Sequence, residues 1–253
     1  MDVLLVGAGA MGRWLGTALS EAEATASISV LDTDPDSARE TAEALDGQAV
    51  TPETAPNADL VCIAVPIPAA EEVIETYAAH ANDAILDVTG TMAGPVAAMT
   101  EHAPDCQRLS IHPLFAPENE PGNIPTVVDA AGPITETVLD ALRARGNDVF
   151  ETTVTDHDEA METVQARTHA AVLAFGLAAE EVPERFQTPI STELTALTEQ
   201  VTGGESRVYA DIQSAFEGAD DVADAARKLA EADTDAFERL YDAARLETPE
   251  ESE

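Results

Sequence analysis

The chain has 253 residues, 45% of them apolar, and its 49 acidic and 12 basic residues give a formal charge of −37. This charge excludes a general attraction to nucleic acid or to an anionic membrane, because the field of the protein repels phosphate. The apolar start is too short for a signal peptide and no stretch reaches membrane-spanning length. We therefore expect a cytoplasmic protein with no nucleic-acid or membrane partner.

The acidic residues are spread along helical faces throughout the chain, and only residues 246–253 form an acidic end, which we expect to be a flexible tail. Two interpretations of the charge are an acidic interaction tail and a surface adapted to a salt-rich cytoplasm, where self-repulsion is screened. The even spread favours the second. We expect a protein from a halophile.

Short apolar strands alternate with helical segments in the first half of the chain. Strands are predicted at 2–6, 27–31, 59–65, 84–88, 108–111, 126–129 and 148–151, and helices at 10–20, 35–45, 69–81, 94–102 and 134–145. Continuous apolar strands separated by helices are typical of a mostly parallel sheet that is buried on both faces. This pattern predicts an α/β domain over residues 1–153.

After about residue 155 the strands stop and apolar residues recur at helical spacing. Thr188 is a predicted helix cap and Pro189 the first helical residue, and a further one or two helices are predicted within 223–244. We therefore predict an all-helical domain over residues 154–245, which closes a substrate cleft and forms a homodimer.

A glycine-rich motif, G-A-G-A-M-G, lies between the first strand and the first helix. Gly7 permits a tight turn, Gly9 lets a pyrophosphate approach the backbone, and Gly12 lets helix and strand pack closely. Ala10 and Met11 then lie at the helix N-terminus, where free N–H groups favour anions. The motif in this position predicts a Rossmann-type, dinucleotide-binding sheet.

Asp32 ends the second predicted strand, where a carboxylate takes the ribose hydroxyls of a dinucleotide. Because it would repel the additional phosphate of NADP, and no arginine follows nearby, we predict NAD as the cofactor. The stretch VCIAVPIP contains Ala64 and Pro66. It either passes over the cofactor, as the fourth strand does in dinucleotide-binding dehydrogenases, or is a plain strand that ends in a proline turn. Cys62 and Cys106 suggest neither a disulfide framework nor a metal site.

Three stretches together resemble the prephenate and arogenate dehydrogenases of tyrosine biosynthesis. His112 to Pro117, HPLFAP, is similar to that family's H-P-M-F-G-P block, and Asp87 to Thr91, DVTGT, lies one strand earlier, where the family has an aspartate and a small hydroxyl residue. The segment that begins at Asp156 resembles the start of the family's linking helix, and Tyr209 to Ile212 resembles a later helical motif. The resemblance covers most of the chain, in order.

The resemblance implies an enzyme that oxidises prephenate at its ring hydroxyl, passes hydride to a nicotinamide and releases carbon dioxide to give 4-hydroxyphenylpyruvate. His112 would accept the hydroxyl proton, a task suited to a neutral imidazole. Where relatives often carry a serine, this chain has Gly90, so Thr89 or Thr91 would supply any hydroxyl beside His112.

The family's substrate-binding arginine has no counterpart in the stretch PISTEL. Arg207 and Arg167 are the nearest candidates, and we take Arg207 as the substrate ligand. Gln165 and His169 are one helical turn apart. They are either a substrate-binding pair that faces a cleft, or part of a partly buried helix face on which both side chains form hydrogen bonds with nearby protein groups.

The remaining polar and aromatic residues receive structural interpretations. We interpret His157, between two aspartates, as part of a solvated helix start, place His80 and His102 at surface helix ends, and assign Trp14 to packing. Two alternatives to prephenate oxidation stay open. One is a related NAD(P)-dependent oxidoreductase of arogenate, 3-hydroxyacid or imine type, although the latter two usually rely on a lysine in the linking helix and the sole lysine here is Lys228. The other is a non-catalytic nucleotide-sensing protein of the same fold.

Overall fold

Eight strands form one sheet in the computed structural model, which describes residues 1–245 and so does not extend to the predicted acidic tail at 246–253. Their order across the sheet is β3-β2-β1-β4-β5-β6-β7-β8, and only the β6–β7 pair is antiparallel. The strands are β1 (Asp2–Val6), β2 (Ser27–Leu31), β3 (Gln48–Ala49), β4 (Ala58–Ile63), β5 (Ala81–Asp87), β6 (Gln107–Ile111), β7 (Asn123–Ala130) and β8 (Asp148–Glu151). The predicted mostly parallel sheet is confirmed; the two-residue strand β3 was not predicted.

Helices cover both faces of this sheet, which explains why its central strands β1 and β4 are buried along most of their length. They are α1 (Ala10–Ser20), α2 (Pro35–Ala44), α3 (Ala70–Tyr77), α4 (Ala93–His102) and α5 (Pro133–Ala144). Successive residues of β1 point to opposite faces: Leu5 packs in one core with Leu15 and Leu142, and Leu4 packs in the other with Ile74.

The chain forms two compact units, one of Met1–Ala160 and one that begins at Met161. The boundary falls within helix α6 (Val154–Met161), later than the predicted boundary after residue 153. The second unit is helical, as predicted. It contains a π-helical segment (Glu162–Arg167) followed by α7 (Thr168–Ala178), α8 (Pro189–Thr202), α9 (Ser206–Ala215), α10 (Ala219–Glu231) and α11 (Thr234–Ala243).

The start of α8 shows how local sequence sets a helix boundary. The Thr188 hydroxyl accepts the Ser191 N–H at 3.2 Å, and the Ser191 hydroxyl accepts the Thr188 N–H at 2.9 Å. Pro189 takes the first helical position, so the predicted cap is confirmed. None of the helices between residues 1 and 245 has the length and apolar composition of a membrane span.

Candidate active site

The glycine loop between β1 and α1 packs so tightly that two of its positions have no room for a side chain. A Cβ on Gly7, whose φ is +107°, would lie 2.1 Å from the carbonyl oxygen of Ala64, and a Cβ on Gly12 would lie 2.0 Å from that of Gly7. A Cβ on Gly9 would meet no heavy atom within 4 Å. The loop therefore leaves open space beside Gly9 at the N-terminus of α1, as a bound pyrophosphate requires.

Asp32 follows β2 directly and is held against this loop. Its Oδ2 accepts the Ala8 N–H at 2.6 Å, and its Oδ1 accepts the Asp34 N–H at 2.8 Å. The buried Thr41 hydroxyl donates to the Ala8 carbonyl oxygen at 3.2 Å. A carboxylate is thus fixed beside the loop, between the carboxyl ends of β1 and β2.

Ala64 and Pro66 lie just beyond β4, which ends at Ile63 and not at the predicted Val65. The Ala64 N–H donates to the Val6 carbonyl oxygen at 2.8 Å. Ala64 also borders the position that a Cβ would take on Gly7 or on Gly12, at 2.1 and 3.3 Å. Pro66 is exposed, and a short 3₁₀ turn (Ile67–Ala69) leads into α3. Strand order reverses between β1 and β4, so these residues flank the crevice where open α/β sheets bind ligands.

A cavity of about 570 Å³ opens beside the start of α1. Its lining includes Ala10 and Arg13 of α1, the turn Pro117–Glu120, and Arg145. The Arg145 guanidinium binds Glu120, with a shortest contact of 2.6 Å, and this ion pair anchors the turn. The first residues of α1 therefore border a space large enough for a small-molecule group.

At the end of β5, the buried carboxylate of Asp87 forms two hydrogen bonds with Thr89. Asp87 Oδ2 accepts both the N–H and the hydroxyl of Thr89, at 3.1 and 2.7 Å. Burial raises the pKa of Asp87 to about 6, although hydrogen bonds from Thr89 oppose the rise. The Thr89 hydroxyl is thus committed to Asp87, and Thr91 is half-buried just after Gly90.

His112 directly follows β6 and is 7% exposed. Its N–H donates to the Pro125 carbonyl oxygen, and the Leu114 N–H donates to that of Asn123, so the proline-rich stretch is bound to the start of β7. The Phe115 ring packs edge-on against Trp14, with centroids 5.7 Å apart. The predicted packing role of Trp14 is confirmed.

The prediction for His157 was wrong. The side chain is buried, and its Nε2 lies 2.9 Å from His112 Nδ1. Its Nδ1 lies 2.7 Å from Asp158 Oδ1, and the Asp158 carboxylate accepts the N–H groups of Met92 and Ala93 at the start of α4. Helical spacing could have revealed this residue.

Val154, His157 and Met161 recur at intervals of three and four, and so share one face of α6. That face carries the buried Met161, so a histidine on it is expected to be buried too.

Burial and, to a smaller extent, the neighbouring His157 lower the pKa of His112 to about 3, although Asp158 opposes this shift. His112 is therefore a neutral imidazole at physiological pH. A Cβ added at Gly90 would lie 3.4 Å from His112 Nε2, so Gly90 borders this nitrogen of the ring.

The other predicted substrate ligands lie in the second unit. Gln165 belongs to the π-helical segment, a distortion frequent at functional sites, which the sequence did not predict. The His169 ring packs edge-on against Tyr209 at 4.8 Å, and burial lowers the His169 pKa. Within residues 1–245 its Nδ1 is buried and has no hydrogen-bond partner.

The two candidate arginines differ. Arg167 is bound to Asp221 and Glu162, with shortest contacts of 2.8 and 3.2 Å, and so stabilises its own unit. Arg207 is exposed on α9 and lies 3.8 Å from Asp211. Within residues 1–245, no cluster of three or more histidine, cysteine or acidic side chains could hold a metal ion. His102 lies exposed at the end of α4, as predicted.

A family model described as NADP oxidoreductase, coenzyme F420-dependent, matches residues 2–91. The chain is 34% identical over 174 residues to a 4-amino-4-deoxyprephenate dehydrogenase of Streptomyces pristinaespiralis. That match covers 64% of this chain and 58% of the relative. A probable arogenate/prephenate dehydrogenase of Methanocaldococcus jannaschii is 27% identical over 181 residues, which cover 64% of this chain and 40% of the relative. The chain thus spans about half the length of the curated relatives it matches.

Among solved structures, the prephenate dehydrogenase of Aquifex aeolicus in complex with hydroxyphenyl propionate and NAD⁺ superimposes with a TM-score of 0.71. The two chains are 15% identical, and the superposition covers 96% of each, which shows a shared fold. The chain is thus similar in sequence to curated prephenate and arogenate dehydrogenases over about two thirds of its length, and it shares the fold of a solved prephenate dehydrogenase.

Proposed function

We propose that the protein is an NAD-dependent prephenate dehydrogenase, which converts prephenate to 4-hydroxyphenylpyruvate and carbon dioxide. The observation that carries this proposal is the position of His112. A buried, neutral imidazole lies at the carboxyl edge of the sheet that also carries the glycine loop and Asp32. A base and a dinucleotide site on one sheet edge are the two parts that oxidation of an alcohol requires.

The residues of the loop fit a dinucleotide. Open space beside Gly9 and the N–H groups of Ala10 and Met11 would receive the pyrophosphate, while Ala64 and Pro66 border the path of the rest of the cofactor. When bound, the nicotinamide supplies the acceptor for hydride. Asp32 supports NAD over NADP because a fixed carboxylate repels a 2′-phosphate, whereas the description of the matching family model names NADP.

His112 would remove the proton from the ring hydroxyl as hydride leaves the carbon that carries this hydroxyl. Loss of carbon dioxide then restores an aromatic ring, so the substrate supplies most of the driving force. The tasks of the protein are to orient the substrate and to hold one proton. Thr89 and Thr91 are the proposed hydroxyl residues near this base; Thr89 already binds Asp87 and would act by fixing the loop that carries Gly90.

His169, Gln165 and Arg207 are the proposed substrate ligands. The buried Nδ1 of His169, without a partner in residues 1–245, supports a polar ligand for that residue. Arg207 keeps an exposed guanidinium, with one acidic neighbour at 3.8 Å, and could bind a substrate carboxylate. The 34% identical relative is named for a substrate with a ring amine, so an amine-bearing substrate is a second candidate.

The test is NADH or NADPH formation, at low and at molar salt, with prephenate, arogenate, 4-amino-4-deoxyprephenate and a panel of 3-hydroxyacids. We expect turnover of prephenate, and in His112→Asn a loss of about 10²–10⁴-fold in kcat with unchanged dinucleotide affinity. Unchanged turnover in the variant would remove His112 from the mechanism. Dinucleotide binding without turnover of any substrate would favour a nucleotide-sensing protein.

A cytoplasmic homodimer completes the proposal. Large apolar side chains of the second unit are exposed, among them Leu177 (89%), Ile190 (72%) and Phe186 (67%). Such a concentration of exposed apolar surface is typical of a subunit interface. Light scattering at micromolar concentration would give twice the monomer mass; a monomer at every salt concentration would contradict this part.

A further inference from the structure

We propose that His157 stores the proton that His112 takes from the substrate, and that Asp158 fixes the tautomers of both rings so that His112 Nε2 is the base. This proposal rests on the proposed function and deepens it. His157 and Asp158 act through His112, so they are positioning residues. His112, His157 and Asp158 form a hydrogen-bonded series that we call the proton chain. The two rings are 2.9 Å apart, and His157 lies 2.7 Å from the carboxylate.

The direction of each hydrogen bond follows from Asp158. Its oxygens accept the N–H groups of Met92 and Ala93, and an ionised carboxylate can only accept. Burial acts to raise the pKa of this carboxyl, but the hydrogen bonds from His157 and the backbone outweigh burial. The pKa is lowered overall, so the carboxyl stays ionised. His157 Nδ1 must therefore carry the hydrogen that points to Asp158.

A neutral His157 with its hydrogen on Nδ1 has a lone pair on Nε2. That lone pair faces His112 Nδ1, so the bond between the rings requires the hydrogen to be on His112 Nδ1. His112 Nε2 then carries no hydrogen in the resting protein. This is the nitrogen that Gly90 borders, with 3.4 Å between it and a Cβ placed on the glycine.

The proton step balances within the two rings. The substrate C–H bond breaks as hydride leaves for the nicotinamide, the O–H bond breaks and its electron pair forms the ring carbonyl, and the hydroxyl proton forms an N–H bond at His112 Nε2. The N–H bond at His112 Nδ1 breaks as that proton bonds to His157 Nε2, which leaves His112 neutral and His157 an imidazolium beside Asp158. After carbon dioxide leaves, the phenolate oxygen takes back one proton from His112 Nε2, and the transfer between the rings reverses.

This arrangement resolves a conflict between burial and basicity. With a pKa of about 3 at its buried position beside His157, His112 by itself holds a proton poorly. His157 places the charge next to Asp158, and the buried Asp87 at the end of β5 is also close enough to interact with His157. Because the same proton returns to the product, no exchange with solvent is needed, which agrees with the burial of both residues, His112 at 7% and His157 at 2% exposure.

Nitrogen NMR on the full chain labelled at histidine tests the tautomers without substrate. We expect His112 and His157 both to carry hydrogen on Nδ1, and Asp158→Asn to convert part or all of His112 to the Nε2–H form. His112→Asn and His157→Gln assign the signals, and the exposed His102 is the reference. Hydrogen on His112 Nε2 in the unaltered protein would overturn the proposal.

Kinetics separate storage from orientation. The amide oxygen of His157→Gln can still accept the His112 Nδ1–H bond, but it cannot take the proton. We expect this variant to keep the His112 tautomer, to lose kcat by about tenfold or more, and to shift the acid limb of its pH profile to lower pH. A merely structural role would lower the rate without moving that limb.

Asp158→Asn should lose up to about 10⁴-fold, as expected when a catalytic imidazole takes the wrong tautomer. His102→Gln, exposed at the end of α4, is the matched control and should match the unaltered enzyme. If the unaltered enzyme turns over prephenate and His157→Gln has the same rate and the same pH profile, proton storage alone is overturned. An unaltered enzyme with no turnover of any substrate would overturn the proposed function and the proton step together, while NMR still decides the tautomers.

Discussion

Gly12 lies so close to Gly7 that a Cβ on Gly12 would be 2.0 Å from the Gly7 carbonyl oxygen. Gly9, between them, has a φ of −68° and open space around its Cβ position. Two of these glycines are therefore required by packing, and the third is free of any packing constraint within the described chain. Substitutions at Gly12 should therefore change the stability of the loop, and substitutions at Gly9 should change its affinity for a ligand.

We expect Gly9→Ala to fold with unchanged or slightly higher stability, because alanine adopts this backbone without strain. Its methyl group would occupy the space proposed for the pyrophosphate, so dinucleotide affinity should fall at least about tenfold. Gly12→Ala, in contrast, should lower the free energy of unfolding by about 1–3 kcal/mol or more. Thermal unfolding and dinucleotide titration of both variants measure these effects; undiminished affinity in Gly9→Ala would contradict the proposed cofactor position.

Asp32→Asn tests the cofactor preference. Asparagine keeps an oxygen for the Ala8 N–H but removes the charge that repels a 2′-phosphate. We expect the ratio of NAD to NADP affinity to fall by about tenfold, which is about 1.4 kcal/mol. Asp36→Asn, an exposed acid in the first turn of α2, is the control for the loss of one charge. Equal changes in both variants would show that Asp32 does not select the cofactor.

Asp87 should make stability depend on pH in an unusual direction. Burial raises the pKa of this carboxyl from 3.8 to about 6 in the folded protein, so the folded state binds the proton more tightly than the unfolded state. Its contribution to stability is then greatest below about pH 4 and is lost as the pH rises to about 6. The full cost above pH 6 is roughly 3 kcal/mol.

Asp87→Asn removes this cost. We expect the variant to be more stable than the unaltered protein at pH 7–8 and the difference to disappear near pH 4. Denaturant unfolding across this range measures it. Asp83→Asn, exposed on the same strand, removes a charge without burial and should show no such dependence. A difference that stays constant with pH would show that Asp87 is ionised at no cost.

The acidic surface should make folding depend on salt. With a formal charge of −37, self-repulsion destabilises the compact state until dissolved ions screen it. We expect the melting temperature to rise between 10 mM and molar potassium chloride. Sucrose, which stabilises by exclusion and does not screen charge, is the control. Equal stability at low salt would contradict adaptation to a salt-rich cytoplasm.

Most of the sheet and several helix starts were predictable because they depend on local patterns. Apolar runs identified seven of the eight strands, and Pro35 and Pro189 marked the starts of their helices. The two-residue β3 has too few residues to produce a pattern. The π-helical segment Glu162–Arg167 also escaped prediction, because its sequence follows the same apolar spacing as an ordinary helix.

The site was predictable in part for a similar reason. Gly7 and Gly12 lie where the motif predicts, and the structure supplies the backbone contacts that exclude side chains there. His157 was missed because two flanking aspartates suggested a solvated turn. Its burial could have been inferred from the spacing of Val154, His157 and Met161, but its pairing with His112, 45 residues away in sequence, is absent from any local pattern.

The position of Asp158 has a practical consequence for dividing the protein into fragments. A fragment that ends at residue 153, where strands give way to helices, would keep the glycine loop and His112 but lose both His157 and the carboxylate that orients it. Such a fragment would lack two of the three members of the proton chain whatever it bound. Experiments on an isolated first unit should therefore retain the polypeptide to at least Ala160, so that the sheet and α6 together hold all three residues of the proposed proton chain.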